Sequence, residues 1–171
     1  QGGLAAFTGE DDPARFIEFV EGYAGALPDS ETGRRRFFVN WLLAQPPAAK
    51  VGQDFLYSNA GYALAAAMLE AASGQDFQTL FDSLLSKPLQ LDVQWGPPVG
   101  DKQPRGHVGD SAALLQAWQP LPAELQRWYA ILGPAGSANL STSRYSQWQR
   151  WHLQALQGRS TPLPAAYLAR I

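Results

Sequence analysis

Three polar side chains in a row, Tyr57-Ser58-Asn59, stand at the mouth of a strongly apolar run that continues to Ala72. A tyrosine just ahead of a helix start can project its phenol into a cleft. Beside a cation, such a phenol can lose its proton and serve as a base. An asparagine two residues on can orient a substrate amide, because its side chain both donates and accepts hydrogen bonds. The same tripeptide also has a purely structural reading, a turn that ends in a helix N-cap, since Ser and Asn are strong caps. The residues alone leave both readings open.

Composition removes several other chemistries. The chain has no cysteine, so disulfides, thiolate catalysis and cysteine-based zinc sites are excluded. His107 and His152 are its only histidines, far apart, and no H-x-x-x-H or E-x-x-H pair occurs. No metal site and no cofactor are therefore expected, and a Ser-His-Asp triad has few candidates. The 171 residues, 46% of them hydrophobic, suffice for one domain with its own core. With 16% charged residues and a net charge of −2, no basic face suits nucleic acid. The longest apolar stretch, within Tyr62 to Ala72, is shorter than the roughly 20 residues a membrane-spanning helix needs. Trp41, Trp95, Trp118, Trp128, Trp148 and Trp151 read as core or interface anchors rather than as the lining of a groove.

The elements that must position Tyr57 and Asn59 read mostly as helices. Asp12 and Pro13 start one, with Phe16, Phe19, Val20 and Tyr23 at amphipathic spacing. Thr32 to Gln45 reads as a second, stopped by Pro46-Pro47. Ser58 or Asn59 caps a third, whose small residues on every side suggest burial on several faces and whose end Gly74 marks. Asp76 caps a fourth carrying Phe77, Leu80, Phe81, Leu84 and Leu85, with Lys87 in its last turn. Gln90 to Trp118 reads as loop with one or two brief strands. A short helix is expected over Pro122 to Ile131, a long one over Ser141 to Gln157 ended by Gly158, and another beginning at Pro164. The expected fold class is mainly α, one helical domain over residues 1–171.

The run Phe55-Leu56-Tyr57-Ser58-Asn59-Ala60-Gly61-Tyr62, followed by Glu70-Ala71-Ala72-Ser73-Gly74 and Lys87-Pro88-Leu89, is similar to the serine β-lactamase-like hydrolases. These include class C β-lactamases, DD-peptidases and related esterases, whose members read F-x-Y-S-N-x-G-Y, then a glutamate and "TG" or "SG", then "PL". Gly96-Pro97-Pro98 and Pro104-Arg105-Gly106-His107 look like a loop of a bacterial branch of the family. Gly133-Pro134-Ala135-Gly136 with Ser141 resembles its P-A-G turn, and Gln1-Gly2-Gly3-Leu4 sits where the family has H-T-S-G-L. The resemblance implies the helical domain of an α+β penicillin-binding-protein-like fold, with most of the β-sheet missing. It implies a serine acyl-enzyme mechanism on an amide or ester: a β-lactam, a D-alanyl peptide or a simple ester. Tyr57 would be the catalytic proton-transferring phenol, Asn59 the substrate-binding amide, and Ser58 a spacer. The partner is then a small-molecule or peptide substrate, and a periplasmic or extracellular location is the family habit.

Two parts of the family's catalytic set are not in this sequence. Three residues before Lys50, Lys87 and Lys102 stand Pro47, Leu84 and Val99, so no S-x-x-K occurs, and no K-T-G occurs either. His107-Val108-Gly109 mimics H-x-G but precedes the P-A-G turn, which makes His107 a loop residue. The expectation is an internal piece, with the serine and lysine upstream of Gln1 and the K-T-G strand downstream of Ile171, inactive by itself. Val51-Gly52 in place of Pro-Gly, and Arg144-Tyr145 in place of an acid followed by an aromatic or Leu, mark a divergent member. The alternatives are a non-catalytic binding protein of the same fold, recognising peptidoglycan-like peptides or a protein partner, and a plain helical domain in which Tyr57 is buried away from any cleft.

Overall fold

A computed structural model describes residues 2–7, 13–23, 25–98, 100, 102–104, 106–108, 116–117 and 123–170, with backbone alone at 13–17, 107–108, 116–117 and 123–125. Helix α1 spans Pro13–Tyr23; the expected cap Asp12 lies outside the described residues. Helix α2 runs Glu31–Leu43, one residue earlier at its start and two shorter at its end than the sequence suggested. Ser30 explains the early start: its hydroxyl accepts from Gly33 N at 3.1 Å, which caps the first turn. The chain has left the helix at Ala44, before the two prolines.

Helix α3, Asn59–Ser73, is capped by Ser58 and closed by Gly74 at φ 70°, the left-handed turn that a Cβ disfavours. It buries one face only, through Ala60, Ala63, Ala66 and Glu70, against α2 and the segment around Ile131. The expectation of burial on several faces is therefore corrected: Tyr62, Met68 and Leu69 stand exposed among the described residues. Small alanines on the buried side let α3 approach closely, and nothing described covers the other side.

Helix α4 covers only Phe77–Phe81 and passes into a π turn over Asp82–Ser86. The wider turn, with Lys87 N donating to Asp82 O at 2.9 Å, rotates the following residues off the α-helical stripe. Leu84, expected on the α-helix, lies in this π turn and is 65% exposed, and Lys87 lies just past the last turn. Two-residue strands β1 (Gln94–Trp95), β2 (His107–Val108) and β3 (Gln116–Ala117) interrupt the loop that follows, so His107 sits on a strand rather than in a loop. Strand β2 pairs antiparallel with β3, and β1 with β4 (Ala138–Asn139). Helix α5, Ala123–Tyr129, tightens into a 3-10 segment over Ala130–Ala135. Helix α6, Thr142–Leu156, is capped by Ser141, and α7 is the single turn Ala165–Leu168.

Two apolar clusters result. The larger joins Ala5, Phe7, Phe19, Phe38, Leu42, Ala60 and Ala63 to Trp128 and Ile131, with Trp41 packed against it. The smaller gathers Leu89, Leu91, Val93 and Leu163, with Trp95, Trp148 and Trp151 around it. Five of the six tryptophans thus contribute to packing, and Trp118 lies outside the described residues.

A buried ion pair crosses the larger cluster. Arg35 on α2 is 1% exposed and donates to Glu70 on α3, which is 4% exposed. Arg35 also pairs with Glu31 and donates to the backbone carbonyls of Ile131, at 3.2 Å, and Ala130, at 3.3 Å. Glu70 Oε1 accepts in addition from Thr32 Oγ1 at 3.1 Å and from Phe77 N at 3.0 Å. Removing one member strands a buried charge, which costs about 3–5 kcal/mol. Urea denaturation of Glu70→Ala is expected to show a loss of that size, and a paired Arg35→Met, Glu70→Leu variant a smaller one.

At the start of α4, Asp76 accepts from Thr79 Oγ1 at 2.7 Å and Thr79 N at 2.9 Å. The Thr79 hydroxyl first, then its backbone N–H, holds this carboxyl below its ordinary value of 3.8. A folded-state value below the unfolded one stabilises the chain above the unfolded pKa, and that gain is lost as pH falls through the folded value. Asp76→Ala should cost about 1 kcal/mol at pH 7, and the difference from the parent in denaturation midpoint should shrink below pH 4, since the carboxyl then titrates out.

Candidate active site

Ser58 leaves the strand-like approach at φ −146°, ψ 116° and turns the chain into α3. Its hydroxyl accepts from Gly61 N at 3.0 Å and donates to Ala5 O at 2.6 Å. Both roles of that hydroxyl are structural, so Ser58 is more than a spacer: it caps the helix and ties down the N-terminal segment. Asn59 continues the tie. Its backbone N–H donates to Ala6 O at 2.8 Å, and its side-chain Nδ2 donates to Phe7 O at 2.7 Å.

Tyr57 precedes this clamp on the open side. Its ring is 45% exposed and lies 6.0 Å, centroid to centroid, from that of Tyr62 one turn into α3. A cavity of about 330 Å³ opens beside it, walled by Leu4, Phe55, Leu56, Tyr62 and Ala65. Among the described residues, no charged side chain lines this cavity. A burial of the phenol among packed aliphatics is not what the structure holds. Ser58 nevertheless caps the helix as the structural reading of the tripeptide expected, so capping and cleft coexist at neighbouring residues.

Gly2 and Leu4 bring the N-terminal segment Gly2–Phe7 to the edge of the cavity. Gly3 has φ 68°, accepts from Ala48 N at 2.8 Å, and sits where a Cβ would come within 2.7 Å of Ala49 O. Gly3 is therefore a fixed close approach that a side chain would obstruct. Phe7 is the stranger feature. It holds φ 51°, a left-handed conformation that costs a bulky residue about 1–3 kcal/mol. Its ring is 4% exposed and packs edge-on to Phe38 at 5.4 Å and Trp41 at 6.4 Å. Sequence reasoning missed Phe7, because its role is carried by a main-chain carbonyl and a torsion angle, and neither has a signature in the residue type.

A second cavity, about 540 Å³, lies beyond the other end of α3, between Phe77, Trp95, Pro97, Tyr129 and Pro134. Fifteen helical residues separate the two ends, about 20 Å. Neither Tyr57 nor Asn59 borders it, and of the two only Tyr57 lines the first cavity. Among the described residues no cluster of three or more His, Asp or Glu could hold a metal, and no helix is long and apolar enough to cross a membrane. His152 faces Trp148 O at 2.9 Å and the Tyr167 hydroxyl at 2.8 Å, a packing role between α6 and α7. The side chain of His107 lies outside the described residues.

The family model for β-lactamase matches residues 2–169. The chain belongs to that family. Its helices are the helical part of the β-lactamase fold, and the function this membership carries is hydrolytic in the broad, serine-hydrolase-like sense. No curated protein matches the chain significantly. In this β-lactamase-family chain the Tyr57 hydroxyl carries no part of the packing described above. Tyr57→Phe should therefore leave the unfolding free energy within about 0.5 kcal/mol of the parent by chemical denaturation. Ser58→Ala, which breaks the cap and frees Ala5 O, should cost about 1–2 kcal/mol.

Proposed function

We propose that this chain supplies the tyrosine and the asparagine of a serine acyl-transfer enzyme, and that the serine and lysine come from residues outside these 171. In this reading the serine attacks an amide or ester carbonyl and forms an acyl-enzyme, and water releases the acyl group. Tyr57 carries the proton between nucleophile and leaving group, and Asn59 holds the substrate amide and the lysine. β-Lactams, D-alanyl peptides and esters are the substrate classes such machinery takes.

The observation that carries the reading is the position of Tyr57. The residue is 45% exposed at the head of a capped helix and lines a cavity whose described walls carry no charged side chain. A phenol works as a base only beside a positive charge. The described walls offer none, and the sequence has no S-x-x-K from which to draw one. Both facts fit a composite site whose cation and nucleophile come from residues outside these 171. Ser58 does not qualify as the nucleophile, since its oxygen is engaged with Gly61 N and Ala5 O.

The residues 1–171 alone should not be labelled by a β-lactam or a fluorophosphonate probe. Intact-mass detection of stoichiometric labelling would place a nucleophile inside this stretch and sink the assignment. In the full-length protein, Tyr57→Phe should slow acylation by about 10²–10⁴-fold, the usual worth of a proton-transfer group; unchanged pre-steady-state acylation would remove Tyr57 from the mechanism. The second reading, a binding protein without a nucleophile, predicts instead that the full-length protein retains ligand without acylation.

A further inference from the structure

Three consecutive carbonyls, Ala5 O, Ala6 O and Phe7 O, all accept from the two residues Ser58 and Asn59. Ala5 O takes the Ser58 hydroxyl, Ala6 O the Asn59 backbone N–H and Phe7 O the Asn59 side chain, and of these three residues Phe7, at φ 51°, holds the left-handed conformation. Glycine or asparagine is the ordinary occupant of such a torsion. A phenylalanine persists there because its ring is locked among Phe38, Trp41 and the rest of the larger cluster. Local strain held in place by packing is a mark of a site where geometry matters.

We propose that Phe7 is a positioning residue for Asn59: the buried ring and the left-handed backbone hold a carbonyl that fixes the orientation of the Asn59 amide. This rests on the reading of Asn59 as the group that meets the substrate. A carboxamide free to rotate presents its oxygen and its nitrogen to the cleft interchangeably. With Nδ2 held on Phe7 O, one N–H is spent, and the remaining N–H and Oδ1 keep fixed directions. The order of the amide is thus set from the core of the domain, through Phe7, rather than from the cleft. Gly3 and Ser58 are the other fastenings of the same segment, on Ala48 N and through Ala5 O.

The test is a mutant cycle in the full-length protein, read with an ester and a β-lactam substrate. Phe7→Ala should lower kcat/KM by about a hundredfold, the effect of a misplaced contact group. In an Asn59→Ala background the same substitution should change kcat/KM by less than about twofold, because the group it acts through is gone. Phe7→Leu, which keeps an apolar anchor, should recover most of the loss. Equal factors in the two backgrounds would mean that Phe7 merely stabilises the fold, and the proposal fails. A second readout needs no turnover. The side-chain NH₂ resonances of Asn59, assigned by their disappearance in Asn59→Ala, should shift in Phe7→Ala and return in Phe7→Leu; resonances indifferent to Phe7 overturn the proposal. Where Phe7→Ala does not fold, Ser58→Ala releases the same segment and is expected to show the same non-additivity and the same shift. A full-length protein that turns over neither substrate contradicts the acyl-transfer reading, while the resonances still decide whether Phe7 orders the amide.

Discussion

The arrangement of the helices turns on one buried pair of charges, Arg35 and Glu70. Isolated ions inside a core cost several kcal/mol each, and their mutual attraction offsets that only when the remaining donors and acceptors are satisfied. Here most are. The guanidinium reaches Glu70, Glu31 and two carbonyls of the 3-10 segment, and one carboxylate oxygen takes the Thr32 hydroxyl and the first N–H of α4 as well. The other oxygen, Glu70 Oε2, is buried with no hydrogen-bond partner among the described residues. What the pair supplies is register: α2, α3, α4 and the 3-10 segment can meet in one relative placement that satisfies these directional bonds, whereas apolar contacts among alanines and phenylalanines allow several.

That register matters because α3 links the two ends of the described structure. Its C-terminal end is held by the ion pair, and its N-terminal end by the Ser58–Asn59 clamp on residues 5–7. Between them run Ala60, Ala63 and Ala66, fully buried and too small to allow slack. A helix pinned at both ends transmits little bending, so Tyr57 and Asn59 project from a fixed platform. Phe7 joins the two fastenings, since its ring packs on Phe38 of α2, the helix that carries Arg35, in a cluster that also holds Phe19 of α1.

Much of this was legible in the sequence. The caps Ser58, Asp76 and Ser141 and the αL glycines Gly74 and Gly158 obey local rules, and those rules placed α3, the start of α4 and α6. The mainly helical class followed from them. The later part of the fourth helix was misread because a π turn over Asp82–Ser86 changes the helical period without any change in residue type. Glu70 stood out as part of a recurring motif, but its partner Arg35 sits 35 residues away on another helix, and one sequence carries no sign of such a pairing. The exposed face of α3 was misread for a related reason: alanine is compatible with contact and with solvent alike. Tyr57 and Asn59 were visible as residue types at a helix start, whereas the clamp that orients Asn59 consists of backbone carbonyls, to which sequence patterns are blind.

The division of labour at the cleft follows from charge. A site that moves protons between a nucleophile and a leaving group needs a cation close to its phenol, and the described walls of the cavity beside Tyr57 are mostly apolar and aromatic, with Ser58 among them and no charged side chain. Bringing a lysine into such walls costs less where it enters already paired with its nucleophile and can share the Asn59 amide. A domain that contributes orientation but no charge is therefore suited to be one half of a composite site. Its own core can be packed and its amide ordered by Phe7 without an unpaired ion facing the cleft before the other half is in place. On this argument the apolar walls around Tyr57, the strained Phe7 and the sequence's missing S-x-x-K have one cause: in the proposed enzyme, geometry is held on this side of the cleft and charge on the other.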